Sequence, residues 1–282
     1  MDLAITTLPD TTQVRRAPVE VLASESSSAG AAPKIDVDVR PRTDEGMPHQ
    51  LRELVASLSR LIVTVDGPAA VGKGTATARL ARRLGLQVMD TGKMYRAAAW
   101  LAIEQKVSPE DHAKLIPLVQ DARIAFDWKS DPPTIMVHGE ALGHRIGSKH
   151  VEDLVSKYAG VQALRDVLIS DQRRMAREHP KLMCDGRDQG TKVFPDADMK
   201  FYLDASAQAR ARRALARHGV SEPEPELLDA TRIQIERRDE QDRANGALLM
   251  PQDAEVIVTD HLTPEGVVEE MERRLDRRLR GL

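Results

Sequence analysis

A short segment of the chain combines glycines and a lysine at a spacing that suits phosphate binding. It reads DGPAAVGKGTATARL over residues 66–80 and matches the pattern G-x-x-x-x-G-K. In that pattern, backbone N–H groups at a helix N-terminus point at bound oxyanions, and the lysine reaches the outer phosphates. We therefore predict a nucleotide phosphate site, the alternative being a glycine-rich turn with a surface lysine. The residues of the predicted loop are Gly67, Pro68, Ala69, Ala70, Val71, Gly72, Lys73, Gly74 and Thr75.

The residue after the lysine bears on how a metal ion would be held. Many loops of this kind place a Ser or Thr there as a Mg²⁺ ligand, whereas this chain has Gly74 and carries its hydroxyl one residue later, on Thr75. We therefore predict no protein residue that ligates the metal directly. Mg²⁺ is expected among phosphate oxygens and water, with the carboxylates of Asp66 or Asp188 near it.

Three further groups of charged residues follow the loop. They are DTGKMYR (90–96), DGRDQGT (185–191), and a pair of arginine-bearing segments at 210–219 and 232–243. Phosphoryl transfer between two nucleotides requires cations on the donor, on the acceptor and on the transferred group, supplied by parts that exclude water. Together these groups indicate a nucleoside monophosphate kinase. The alternative for many charges of the last segment is a solvated helix face.

Short β-rich runs alternate with longer helical ones, which predicts crossover units around a parallel sheet covered on both faces. A short amphipathic helix is predicted over 51–58, ahead of the first strand. Two segments, roughly 100–178 and 206–250, are predicted to leave the sheet, and the first contains an antiparallel hairpin over 123–139. The predicted strands of the parallel sheet are 61–65, 87–89, 181–184, 199–203 and 255–258.

Composition limits the class of protein and its setting. Residues 1–48 show no lasting periodicity and are predicted to be a disordered tail before a domain over 49–282. The net charge of −3 argues against nucleic acid or an anionic membrane as a partner. No run approaches the roughly 18 apolar residues of a membrane span, and the single cysteine, Cys184, excludes a disulfide framework. We predict a cytoplasmic protein, and a monomer.

The ordered motifs resemble those of bacterial cytidylate kinases over about residues 60–280. The motifs are VDGPAAVGKGT, MDTGKMYR, VSKYAGVQALRDVL, DGRDQGTKVFPDADMKFYLDAS, RARR and ERRDEQD. The resemblance implies an α/β fold of the P-loop nucleoside monophosphate kinase type, with a five-stranded parallel sheet. It also implies a nucleotide-binding insertion after the second strand, a helical lid after the fourth, and ATP-dependent phosphorylation of CMP and dCMP.

The resemblance also assigns roles to individual residues. Lys73, Arg187, Asp188 and Arg238 would act in transfer, and Arg210 and Arg213 would join the loop residues in binding ATP. Cytosine offers an amine donor beside two acceptors, which suits a carboxylate, a hydroxyl and an arginine. The residues implied for CMP are Thr91, Tyr95, Arg96, Ser156, Arg165, Arg187, Asp188 and Asp242. The alternatives are a core position for Tyr95, a surface hydroxyl for Ser156 and an ion-pair partner for Arg165.

Three departures from the family pattern touch the acceptor phosphate. Gly147 and Asn245 stand where relatives usually carry arginines, and Lys93 replaces a small residue. Arg145 is a candidate to supply the missing charge. Two rival functions therefore stay open. One is a kinase of the same fold with a shifted acceptor such as UMP, and the other is a degenerate nucleotide-binding protein without transfer activity.

Overall fold

A computed structural model describes residues 49–281, so the predicted tail lies outside the described residues. In chain order the described elements are α1 (His49–Ser57), β1 (Leu61–Asp66), α2 (Lys73–Leu84), β2 (Gln87–Asp90), α3 (Thr91–Glu104), α4 (His112–Asp121), β3 (Ala125–Asp127), β4 (Thr134–Val137), β5 (Glu140–Ala141), a 3-10 helix (Gly143–Gly147), α5 (Lys149–Ala159), α6 (Gln162–Glu178), β6 (Lys181–Asp185), a π-helix (Gln189–Val193), β7 (Met199–Asp204), α7 (Ala207–Arg217), α8 (Pro225–Ala244), β8 (Glu255–Val258) and α9 (Pro264–Leu279).

The central sheet has five parallel strands in the order β2-β6-β1-β7-β8. Its register sets Val65 of β1 opposite Asp185 of β6, and Asp66 opposite Tyr202 of β7. The carboxyl ends of the strands therefore meet at one edge, where open α/β sheets place their ligands. The predicted parallel sheet and each of its five strands are confirmed.

Both faces of the sheet are covered, which explains why the central strand β1 is buried along its whole length. On one face Ile62 packs with Leu182 and with residues of α3, α4 and α6. On the other face Val63 and Phe201 pack with α1, α2 and α9. The predicted amphipathic helix before β1 is confirmed, since Leu51 is fully buried in this second layer.

The chain between β2 and β6 forms helices and a small antiparallel sheet of the order β3-β4-β5. The predicted hairpin is confirmed, with Phe126 opposite Ile135. Two polar contacts join the loop between β3 and β4 to helices α2 and α3. Arg82 Nε lies 3.0 Å from Asp131 Oδ2, and Lys93 Nζ donates to the carbonyl of Pro133 at 3.2 Å.

Helices α7 and α8 follow β7 and pack against each other. Ile235 and Asp239 are the buried residues of α8, and the α7 residues buried with them include Arg210. Among residues 49–281, no helix combines the length and apolar character that a bilayer crossing demands.

Candidate active site

A cavity of about 740 Å³ opens at the carboxyl edge of the sheet. The phosphate loop lies at its centre, one end is formed by α3, α5 and α6, and the other by α7 and the start of α9. Most of the predicted site residues line it. Those that do are Ala70, Val71, Gly72, Lys73, Gly74, Thr75, Thr91, Tyr95, Arg96, Ser156, Arg165, Arg187, Asp188, Arg213, Arg238 and Asp242. The predicted residues that lie outside the lining are Gly67, Pro68, Ala69 and Arg210.

The phosphate loop depends on a glycine at a close approach to its neighbouring strand. Gly67 has φ of 144°, and a Cβ there would lie 2.1 Å from the carbonyl oxygen of Leu203. Lys73, the first residue of α2, donates from Nζ to the carbonyls of Gly67 and Pro68 at 2.7 and 2.8 Å. Burial lowers the pKa of Lys73, and the nearby Arg187 lowers it further. The Lys73 side chain is therefore largely desolvated in the cavity.

Asp185 is a carboxylate of this site that the sequence analysis missed. It ends β6 beside the phosphate loop, where its Oδ2 would lie 3.3 Å from a Cβ on Gly74. Its Oδ1 is buried and has no hydrogen-bond partner in the described part of the chain, and burial raises the pKa of this carboxyl group. An unpartnered carboxylate oxygen fits Mg²⁺, which prefers oxygen ligands. No cluster of three or more His, Cys, Asp or Glu residues within 49–281 could hold a metal ion.

Asp66 has a different position from the one that the sequence suggested. Its Oδ1 accepts the N–H of Gln189 at 2.8 Å, and its Oδ2 accepts the N–H of Gly190 at 2.7 Å. The side chain is fully buried and does not line the cavity. Because both oxygens are used on backbone groups, Asp66 holds the segment after β6 in place. That segment carries Arg187 and Asp188 into the cavity.

We expect Asp66→Asn to destabilise the protein by about 1–3 kcal/mol, the cost of one buried donor left without an acceptor. The amide oxygen can accept from one N–H, but its NH₂ group faces the other. Burial raises the pKa of Asp66 from 3.8 to about 6, so this group contributes stability that is lost as pH rises through about 6.

Urea unfolding of wild type and the Asp66→Asn variant from pH 4 to pH 7 checks this prediction. The variant should lack the fall in stability between about pH 4 and pH 6 that Asp66 gives the wild type. Equal unfolding midpoints and an unchanged pH profile would contradict the assignment.

The end of the cavity near α5 and α6 carries a buried ion pair. Arg165 and Asp188 are 4% and 2% exposed and are in direct contact through Nη2 and Oδ2. The guanidinium of Arg165 also lies over the ring of Tyr95, 5.8 Å from its centroid. The Tyr95 hydroxyl is buried without a hydrogen-bond partner among the described residues, and burial raises its pKa. Ser156 lines the same end.

Arginines gather between this ion pair and the phosphate loop. Arg187 donates from Nε to Asp242 at 3.0 Å and from Nη1 to the carbonyl of Gly67 at 3.1 Å. The pKa of Arg238 is lowered by burial, and the charges of Arg187 and Arg96 lower it further. Three guanidinium groups and Lys73 thus face one cavity, which is the arrangement that binds phosphate groups.

The two arginines predicted to bind ATP from α7 differ in their position. Arg213 lines the cavity while its Nη1 donates to the carbonyl of Val71 at 3.3 Å and to Thr259 Oγ1 at 2.8 Å. Arg210 lies away from the cavity lining and is 5% exposed, in an ion pair with Asp239. Arg217, which belongs to the predicted arginine-bearing segment 210–219, also lines this end. The sequence gave no indication of Leu262, Pro264 and Val267, which line it as well.

The residues at the three departures from the family pattern, Gly147, Asn245 and Lys93, do not line the cavity, and neither does the candidate replacement, Arg145. The guanidinium of Arg145 lies over the ring of Trp100 at 5.9 Å, and Lys93 is bound to the hairpin loop. The Asn245 side chain packs against Gly160, at the end of α5, where a Cβ would meet its amide atoms at 3.2 Å.

We expect Asn245→Arg to lower KM for CMP, the acceptor that the family resemblance implies, by about tenfold, since a charge-assisted hydrogen bond contributes about 1.5–3 kcal/mol. The position lies between Asp242 and Ala247, which both line the cavity. The value of kcat should not rise, because the added bond is made equally in the ground state and the transition state. Initial rates across a range of CMP concentrations check this, with Asn245→Met as an uncharged control. An unchanged KM would show that the acceptor phosphate is already fully held.

Comparison with known proteins agrees with these features. The family described as cytidylate kinase matches residues 63–277. Cytidylate kinases of Geobacter sulfurreducens and Rhodococcus opacus are 39% and 37% identical over 75% of this chain and over 91% and 93% of their own lengths. A bifunctional pantoate ligase/cytidylate kinase of Acaryochloris marina is 39% identical over 73% of this chain, which spans only 40% of that protein. The chain belongs to the cytidylate kinase family.

Proposed function

We propose that the protein transfers the γ-phosphoryl group of ATP to CMP or dCMP, giving ADP and CDP or dCDP. The observation that carries this proposal is a single cavity with Lys73 of the phosphate loop at its centre and the Arg165–Asp188 pair at one end. Names of relatives in the family agree with it. The arginines gathered between these two features favour transfer over binding alone.

The Arg165–Asp188 pair suits cytosine better than uracil. The Asp188 carboxylate can accept a hydrogen bond from the N4 amine, while Arg165 and Ser156 can donate to N3 and O2. Uracil carries a carbonyl oxygen in place of the amine, so it would set an acceptor against the carboxylate. A buried polar group left without a partner costs about 1–3 kcal/mol, and this sets the scale of discrimination.

The polar and charged residues of the cavity have separate tasks in the proposed transfer. Arg96, Arg187 and Tyr95 hold the acceptor phosphate, with Thr91 beside them at the start of α3, and Asp242 binds the ribose hydroxyls. Lys73 and Arg238 stabilise the charge that builds up on the phosphoryl group as it moves between the two nucleotides. Segments that close over the cavity exclude water, which would otherwise accept the phosphoryl group.

The opposite end of the cavity is proposed to hold the adenine and the donor phosphates. Leu262, Pro264 and Val267 offer apolar contacts to a base, and Arg213 and Arg217 lie beside them. Mg²⁺ would be held by phosphate oxygens and water beside Asp185, and it would screen the phosphate charges. We propose that α7 and α8 form the lid and that the segment between β2 and β6 is the acceptor-binding insertion. We also propose that the protein is a monomer and works in the cytoplasm.

An assay of ADP release across CMP, dCMP, UMP, AMP and GMP tests the proposal. We expect kcat/KM for CMP and dCMP to exceed that for UMP by roughly tenfold to a hundredfold, on the scale of one unpaired buried group. A preference for UMP would indicate a shifted acceptor. ATP binding without release of ADP for any acceptor would indicate that transfer is lost.

A further inference from the structure

A buried ion pair between Arg210 of α7 and Asp239 of α8 contacts the phosphate loop at a residue outside the cavity lining. Arg210 Nη1 lies 2.6 Å from Asp239 Oδ2, and the two residues are 5% and 1% exposed. Both also bind the same residue of the loop, Ala69. Arg210 Nη1 donates to the Ala69 carbonyl at 3.1 Å, and Asp239 Oδ1 accepts the Ala69 N–H at 3.3 Å.

These contacts match the dipoles of the loop backbone. The positive side chain meets a carbonyl oxygen and the negative one meets an N–H group, so each contact fixes the plane of one peptide unit next to Ala69. The following residue, Ala70, lines the cavity with φ of 59°, a region that non-glycine residues seldom adopt. Ala70 therefore has an uncommon backbone conformation directly after Ala69, whose two peptide groups are fixed by the ion pair.

We infer that Arg210 and Asp239 are positioning residues that hold the phosphate loop in its anion-binding conformation, and that Arg210 is not itself an ATP ligand. The inference rests on the proposed function only for the identity of ATP as the anion. It links the loop to α7 and α8, the helices proposed as the lid, because each helix supplies one member of the pair.

A purely structural role for the pair would have different consequences. A buried ion pair can often be replaced by apolar residues of similar volume without loss of stability, because the desolvation cost of both charges disappears. The double variant Arg210→Met/Asp239→Leu therefore removes the contacts to Ala69 while leaving the packing of α7 against α8 in place. The exposed Arg212 on α7 provides the matched control, Arg212→Met.

The test measures binding directly, by calorimetry on the full chain, so it does not depend on turnover. We expect the double variant to bind ATP about tenfold more weakly, on the scale of one lost charged hydrogen bond. Its affinity for CMP should be unchanged, because Asp242, the α8 residue proposed to bind CMP, keeps its own contact with Arg187. Arg212→Met should bind both nucleotides as the wild type does.

Single substitutions at Asp239 and Arg210 distinguish a positioning role from a general role in folding, because they are expected to change ATP binding by different amounts. Asp239→Asn keeps an oxygen that can accept the Ala69 N–H, so it should weaken ATP binding less than Asp239→Ala does. Arg210→Lys should likewise weaken ATP binding alone. These variants also decide the question if the double variant does not fold.

The inference stands if ATP affinity falls while CMP affinity is kept, in the double variant or in the single ones. It is overturned if ATP affinity is unchanged, or if the affinities for ATP and CMP fall together. Failure of the proposed function would appear differently, as absent turnover in a wild type that binds ATP normally.

Discussion

Lys73→Ala is expected to lower kcat for phosphorylation of CMP by about a hundredfold or more, the scale of losing one preorganised charge at the reacting group. In the structure Lys73 Nζ is bound to the carbonyls of Gly67 and Pro68, at the first residue of α2. Gly67 keeps a donor in the variant, because Arg187 also binds its carbonyl. The loss should therefore fall on transfer more than on stability.

Steady-state rates and thermal unfolding of the Lys73→Ala variant check this together. Lys129→Ala, an exposed lysine on the hairpin side, serves as the control and should behave as the wild type. A variant that phosphorylates CMP at the wild-type rate would contradict the role of the loop. A variant that fails to fold would contradict the view that the lysine acts mainly on the reacting group.

Asp188→Asn is expected to lower kcat/KM for CMP by roughly tenfold to a hundredfold, because the amide NH₂ would oppose the cytosine amine and leave buried donors unpaired. The substitution also leaves Arg165, which is 4% exposed, without its charged partner. The loss should be smaller for UMP, whose carbonyl can accept a hydrogen bond from the new amide. ATP binding should be unaffected.

The ratio of kcat/KM for CMP to that for UMP is the measurement that checks this change. Asp166→Asn, exposed on the same helix as Arg165, is the matched control. An equal fall for every acceptor would move Asp188 from base recognition to a general part in transfer.

Much of the fold could be predicted because it is encoded in local patterns. The run LIVTV over 61–65 is mostly apolar, and it is followed by a glycine loop and a helix, so the place of β1 in the centre of a covered parallel sheet follows from sequence. The hairpin around residues 131–133 was likewise marked by its turn residues. The cluster of predicted site residues at one edge follows because parallel strands end there together.

Other parts of the site depend on tertiary contacts that spacing does not reveal. Asp185 is the first residue of the DGRDQGT motif (185–191), but its spacing assigns it no role, and its place beside Gly74 comes from strand order in the sheet. Arg210 and Arg213 are one helical turn apart and look alike in sequence, but only Arg213 reaches the cavity. The apolar residues at the start of α9 carried no motif at all, because hydrophobic contacts to a base require no particular spacing.

Direct observation of the products tests the central claim. ³¹P NMR of the protein with ATP, Mg²⁺ and CMP follows the γ-phosphoryl group itself. The account predicts that the γ-phosphate resonance of ATP is lost as the β-phosphate resonances of CDP and ADP appear in equal amounts. Release of inorganic phosphate without CDP, or no change in ATP when CMP is added, would contradict it.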